Sequence, residues 1–209
     1  MSTPRETLHQ PRNVSKAHLR FEQQDGRSVV VKDYRKRKSL FKLYGRLTLH
    51  NEARAYERLS GIPGIPACFG FRSLDVLAIE YIPAIPLSRQ KPGSVPKVVF
   101  DRLDQLVAAM HERGVANADI HRSNVLVSEN NEVYLVDFAH AVIAQNPRQP
   151  GMVTRWCMEL DRYACARMRA RYLHLPQPSP PGVFGVVYRV ATRCKKALKR
   201  MKKIFLKGN

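Results

Sequence analysis

The sequence predicts an α+β protein of two lobes, the first small and β-rich, the second mainly helical. Three observations predict it. Short β-branched or alternating runs, separated by turn residues, fill positions 17–82. Pro83, Pro86, Pro92 and Pro96 then make a linker over 83–96. Beyond it, apolar residues recur at helical spacing over 98–114 and again over 157–173. At 209 residues the chain has room for two small lobes and little else, and an apolar content of 44% is enough to bury a core. The divisions read from this pattern are a flexible polar N-terminus (1–16), an N-lobe (17–82), a hinge (83–96), a C-lobe (97–175), and a Pro-rich connector with a C-terminal helix (176–209).

In the N-lobe, residues 17–21 alternate weakly and Gln24-Asp25-Gly26 reads as a hairpin turn. Ser28 to Tyr34 is a strong strand with Lys32 near its end. Arg35 to Lys38, Lys42 and Arg46 form a basic segment interleaved with Leu40, Phe41, Leu43 and Tyr44. Two readings of it stay open: a solvated loop, or a surface meeting an anionic partner. A helix is predicted from Leu47 to Leu59, stopped by Ser60-Gly61-Ile62-Pro63, with Leu49, Ala53, Tyr56 and Leu59 as its buried stripe. Glu52 and Glu57 both lie on it, on different faces. Strands are predicted over 65–71 and 76–82.

In the C-lobe, Val99, Phe100, Leu103, Leu106, Val107 and Met110 give a core helix ended by Gly114. The stretch 117–139 organises the rest. Val125 to Val127 and Val133 to Val136 are two strands around the turn 128–131, so the hairpin brings Asp137 back beside Asp119 and Asn124. Hard oxygen ligands at that density suit Mg²⁺ with phosphate, because this ion takes one or two carboxylates and leaves its other positions to substrate oxygens. A short segment over 140–156, with His140, Arg148 and Arg155 along it, precedes the last core helix.

These residues resemble the protein-kinase-like superfamily, in which an Asp, an Asn five residues later and a second Asp before Phe-Gly recur. The resemblance implies a minimal two-lobe protein-kinase-like fold and a phosphotransferase using ATP and Mg²⁺. It implies that Asp119 is catalytic at the acceptor hydroxyl and that Asn124 and Asp137 hold metal. It assigns Lys32 to the nucleotide phosphates and Glu52, twenty residues on, to the ion pair with that lysine. Backbone groups around Glu80 and Ile82 would meet the adenine, and Asp161 would buttress the catalytic loop. Asn117-Ala118 stands where His-Arg is usual, Ala139 replaces a glycine, and no G-x-G-x-x-G phosphate loop precedes Lys32. These departures point to the small members: RIO-like kinases, aminoglycoside-type kinases and bacterial lipopolysaccharide-core (Kdo/heptose) kinases. His111 reads as a packing residue, while His121 and Arg122 are possible phosphate contacts that could equally be structural or solvated.

Charge is the second signal. Lys plus Arg outnumber Asp plus Glu 36 to 17, a formal net charge of +19, and such a surface seeks polyanions. From Val187, apolar residues recur every three or four positions among nine basic ones and no acid, the pattern of a basic amphipathic helix in an anionic membrane interface. An RNA- or ribosome-binding arm and a helix packed on the C-lobe are the other readings. Cys68, Cys157, Cys165 and Cys194 form no Cys-x-x-Cys pair, which argues against zinc and against a disulfide framework. The opening residues are polar, and no apolar run reaches the ~18 residues of a membrane span. The expected location is cytoplasmic, peripheral on the inner face of the membrane. The expected partner is an anionic glycolipid or membrane surface.

Overall fold

Strand pairing in the first third of the chain follows the alternation of its residues. In the computed structural model, which describes residues 6–9, 17–24, 26–37, 39–180 and 182, five antiparallel strands form one sheet. They are β1 (Glu6–His9), β2 (His18–Gln24), β3 (Arg27–Asp33), β4 (Cys68–Ser73) and β5 (Val76–Glu80), in the order β1-β2-β3-β5-β4. The β2–β3 register runs without a break from His18 opposite Asp33 to Gln24 opposite Arg27, so only residues 25 and 26 connect them. Gly26, at φ +75°, supplies the left-handed turn such a short connection requires. Residues 6–9 pair with β2 as an edge strand, whereas the whole of 1–16 was expected to be flexible.

The central strand β3 sorts its side chains by parity. Val29, Val31 and Asp33 are buried on one face, where Val29 and Val31 cluster with Val76 and Ala78. Lys32 lies opposite Leu77 and Val30 opposite Ile79 on the other face, against which helix α1 (Ser39–Leu59) packs. Leu49, Tyr56 and Leu59 form the buried stripe of α1, with Ala53 partly buried.

Helix α1 begins at Ser39, eight residues before the predicted start at Leu47. Two contacts account for the earlier start. Lys42 and Arg46, one helical turn apart, both reach Asp75 at the β4–β5 turn, at 3.1 and 2.7 Å. Gly45, a poor helix former, lets the helix lie on the ring of Tyr34, since a Cβ there would come within 2.3 Å of that ring. Arg35 is also paired, to Asp33 at 2.7 Å. Three cations of the basic segment are therefore held by the N-lobe's own acids.

The hinge is less of a linker than its prolines suggest. Strand β6 (Ile85–Pro86) pairs with the second hairpin, followed by a 3₁₀ turn over Leu87–Arg89. Tyr172 donates its hydroxyl to the carbonyl of the fully buried Leu87 at 2.5 Å. Helix α2 (Lys97–Glu112) agrees with the predicted helix within two residues. Strand β7 (Val115–Ala116) follows it, and β8 (Val125–Val127) and β9 (Val133–Leu135) form the predicted hairpin. Strand β10 (Val142–Ile143) pairs back on β7.

Helix α3 (Met152–Tyr172) begins five residues earlier than its periodicity indicates. Met152, Val153 and Trp156 are exposed, so the first turn carries no buried stripe to read. Arg155, expected on the segment before the helix, lies inside it. Arg169 ties α3 to α2 through Asp101 and Asp104. One buried cluster runs from Tyr34 and Leu77 through Leu103 and Phe138 to Tyr172, so the two lobes share a continuous core. No described helix is long and apolar enough to cross a membrane. The basic amphipathic helix expected over 187–209 lies outside the described residues.

Candidate active site

Lys32 stands on the inner face of the sheet because of its strand parity, and Glu52 stands on the face of α1 turned toward it. The Nζ of Lys32 donates to both carboxylate oxygens of Glu52, at 2.7 and 2.8 Å, and to Oδ1 of Asp137 at 3.1 Å. Glu57, the other acid considered for this pair, is exposed. Burial pulls the Lys32 ammonium toward its neutral form, but Glu52 and Asp137 outweigh that and hold it protonated well above the ordinary lysine range. Burial pushes the Glu52 carboxyl upward, with Lys32 opposing it. The positive charge of Lys32 holds Asp137 below the usual carboxylate range, against its own partial burial.

The metal loop is fixed from α1. Phe138 is fully buried and edge-on to Tyr56, at 5.1 Å between ring centres. Its backbone N–H donates to Glu52 at 3.3 Å, so one carboxylate receives both the lysine and the loop. Asn51 donates to the carbonyls of Ala139 and Ala141, at 3.1 and 2.8 Å. Asp137 itself sits at φ +69°, a conformation uncommon outside glycine and retained here by these contacts.

The catalytic loop is held from α3. Asp161, 1% exposed, accepts the backbone N–H groups of Asn117 and Ala118 at 2.8 and 2.9 Å and contacts His111 Nε2 at 3.1 Å. Ala118 is at φ +61°, the second strained non-glycine residue beside the cleft. The side chain of Asn117, wholly buried, accepts the N–H of Asp119 at 3.0 Å and donates to the carbonyl of Asp137 at 3.1 Å. The carboxylates of Asp119 and Asp137 are left about half exposed, at 47% and 43%. Asn124 donates its side-chain amide to the carbonyl of Asp119 at 3.3 Å, and its own carbonyl accepts the N–H of Val136. His121 Nε2 lies 3.8 Å from Asp119 Oδ2.

This donor set fits a nucleotide-bound magnesium. Among the described residues no three His, Cys, Asp or Glu side chains converge, so the protein offers one carboxylate and one amide rather than a closed cage. With its nitrogen engaged by Asp119, the amide oxygen of Asn124 is the end left for a cation. At the hinge, Tyr81 donates to the carbonyl of Ser28 at 3.0 Å and packs edge-on against Phe21. The side chain of Glu80 turns back to the N–H of Ala67 at 2.8 Å, leaving backbone rather than carboxylate at the nucleotide edge. Ile82 is buried, and its carbonyl is taken by Ala84 N–H at 2.8 Å.

The residues that were not singled out from the sequence are Asn117, Asn51 and Tyr56 as positioning groups. Asn117 was noted only as a departure from His-Arg. The signal was present in its type, since an Asx residue two before Asp119 can cap that residue's N–H.

A family model for the RIO domain matches residues 14–173. Among curated proteins, the probable SapB synthase of Streptomyces coelicolor is 32% identical over 160 residues, covering 63% of this chain and 17% of that protein. A probable casein kinase I homolog of Encephalitozoon cuniculi is 30% identical over 103 residues, covering 45% of this chain and 32% of its own length. The chain thus spans a third or less of these relatives. Two solved structures of the Rio2 kinase from Chaetomium thermophilum, one an ADP/Mg²⁺-phosphoaspartate complex, superpose with TM-scores of 0.65 and 0.64 at 16% identity. Each covers 88% of this chain, and the chain spans 61% and 60% of theirs; the likeness is one of fold. With the two-lobe architecture and a match over more than half of its length, the chain belongs to the RIO-domain family, within the protein-kinase-like superfamily.

Proposed function

We propose that the protein is an ATP-dependent phosphotransferase acting on a hydroxyl of an anionic glycolipid, of the lipopolysaccharide-core sugar type, at the inner face of the membrane. The observation that carries the phosphotransferase reading is Lys32 bonded at once to Glu52 and Asp137, with Asp119 tethered to the same frame through Asn117. Lys32 meets the nucleotide phosphates. The Asp119 carboxylate orients the acceptor hydroxyl and takes its proton as the acceptor oxygen bonds the γ-phosphorus and ADP departs. Held by Asp137 and Asn124, Mg²⁺ supplies charge neutralisation on the phosphate oxygens. Positioning and charge carry the rate, as phosphoryl transfer asks little covalent chemistry of the protein.

Three features support a membrane-facing acceptor. The chain carries +19 formal charge. The sequence of 187–209 has the pattern of an interfacial helix. Met152, Val153 and Trp156 are exposed on the first turn of α3 beside the exposed Arg148 and Arg155, an apolar-aromatic patch with a cationic border. The test uses γ-labelled ATP, Mg²⁺ and a crude envelope preparation, with Asp137→Ala as the control. Label in the glycolipid phase that the variant does not transfer supports this reading, and vesicle co-sedimentation with and without residues 187–209 tests the membrane contact.

The second reading is a RIO-like protein serine/threonine kinase, with the positive surface meeting ribosomal RNA. The family match favours it. Label in the protein phase would put it first. Label in neither phase would favour a non-catalytic module that binds membrane or RNA.

A further inference from the structure

Beside the catalytic aspartate lies a groove of about 280 Å³, formed between the catalytic loop and α3. His121 and Arg122 line it from the loop and Arg167 and Arg171 from the helix, over a floor that includes the buried Ile120 and Met168. Among the described residues that line it, none is acidic. Arg167 and Arg171 stand one helical turn apart, where like charges repel. Arg167 also lies 5.7 Å from the ring of Tyr163, a contact that aligns the guanidinium without neutralising it. The groove starts at the reaction centre, since His121 is 3.8 Å from Asp119. It is rigidly placed as well: Asp161, on the same helix as the two arginines, binds the N–H groups of Asn117 and Ala118.

Cations gathered over an apolar floor are costly unless an anion joins them, and arginine forks match the oxygens of a phosphate. We propose that this groove is the acceptor subsite, and that it takes a phosphate monoester already carried by the acceptor sugar near the hydroxyl to be phosphorylated. The inference rests on the phosphotransferase reading above and narrows its substrate to a sugar that arrives already phosphorylated.

The first experiment needs no catalysis. Glucose 6-phosphate and glucose are titrated by calorimetry into the full chain, without ATP, for the wild type, Arg171→Glu, Arg122→Gln and Arg54→Glu. Arg54 is exposed on α1, so its variant makes the same charge change away from the groove. The expected result is binding of the sugar phosphate but not of glucose. Arg171→Glu and Arg122→Gln should each weaken it about tenfold, the order of one hydrogen bond to a charged group, with Arg54→Glu like wild type. Melting temperature with and without ATP checks that each variant is folded. Equal weakening in Arg54→Glu, or no binding by the wild type, overturns the subsite, and tighter binding of a phosphoserine peptide overturns its assignment to a sugar. The second experiment measures transfer to the envelope glycolipid. An unchanged acceptor KM in Arg171→Glu overturns the subsite while leaving the kinase reading intact. Sugar-phosphate binding without any transfer leaves the groove as an anion site and removes the kinase reading.

Discussion

Asn117 donates its side-chain amide to the backbone carbonyl of Asp137, at 3.1 Å and twenty residues away. With its oxygen it accepts the N–H of Asp119 at 3.0 Å. One buried amide thus sets the spacing of the backbones that carry the two exposed carboxylates of the site. The group is neutral and fully enclosed, so it adds no charge that would compete with a metal or with phosphate. It also explains how the loop is assembled without the His-Arg pair common before this aspartate.

Asn117→Ala should therefore lower both stability and turnover. The substitution leaves a donor and an acceptor unsatisfied, and each such loss costs about 1–3 kcal/mol. A loss of roughly 2–4 kcal/mol in urea denaturation is expected. Transfer should fall by about two orders of magnitude because the spacing of the acid and metal residues loosens. Wild-type kinetics in a folded Asn117→Ala variant would show that the bridge does not position the site.

The Lys32–Glu52 pair predicts a strongly non-additive cycle. Glu52 is 1% exposed and is bonded by Lys32 and by the N–H of Phe138. Lys32→Met strands a buried carboxylate and should destabilise by about 3–5 kcal/mol. Glu52→Gln in the same chain restores a neutral, hydrogen-bonding group and should recover part of that loss, although activity stays absent in both. Additive effects in thermal or urea melts would mean that the pair is not coupled.

Asp161→Asn tests the buttress. A carboxylate accepting two backbone N–H groups and facing His111 is replaced by a group with one acceptor oxygen and an NH₂ that repels the second donor. Destabilisation of about 2–4 kcal/mol is expected, since a buried N–H loses its acceptor beside the positive-φ Ala118. Hydrogen exchange at the amides of Asn117 and Ala118 should accelerate, and unchanged protection would contradict the assignment.

What the sequence made legible follows from periodicity and spacing. The β8–β9 hairpin, the Lys32 face of β3 and the stripe of α1 were readable because parity and 3.6-residue recurrence fix which side chains meet. Glu52 was separable from Glu57 because five residues turn a helix to another face. The starts of α1 and α3 were not readable, because each first turn is set by contacts distant in sequence or by no burial at all. Gly45 sits in α1 only because the ring of Tyr34 occupies the space of its side chain. Met152 and Trp156 begin α3 while exposed. Asn117, Asn51 and Tyr56 were missed for a related reason: their partners are backbone groups brought in by the fold, and backbone leaves no pattern in a sequence.

The last prediction concerns pH. Lys32 holds the Asp137 carboxyl below its ordinary value of 3.8 in the folded protein. A carboxylate whose folded value is depressed adds stability that is present above the unfolded value and is lost as pH falls through the folded one. The contribution should be complete at neutral pH and disappear only below about pH 4. Because the Asp137 side chain is 43% exposed, solvent screens the pair and the gain is small. The clearer readout is the titration itself, followed by carboxyl carbon NMR with Asp137→Asn to identify the resonance. In a Lys32→Met, Glu52→Gln background, chosen to remove the lysine without stranding Glu52, the midpoint of Asp137 should move upward. It should pass the ordinary carboxylate value, because partial burial then acts on it unopposed. A midpoint that stays depressed in that background would place the stabilising charge elsewhere, and the bridge from Lys32 to Asp137 would lose its role in preparing the metal site.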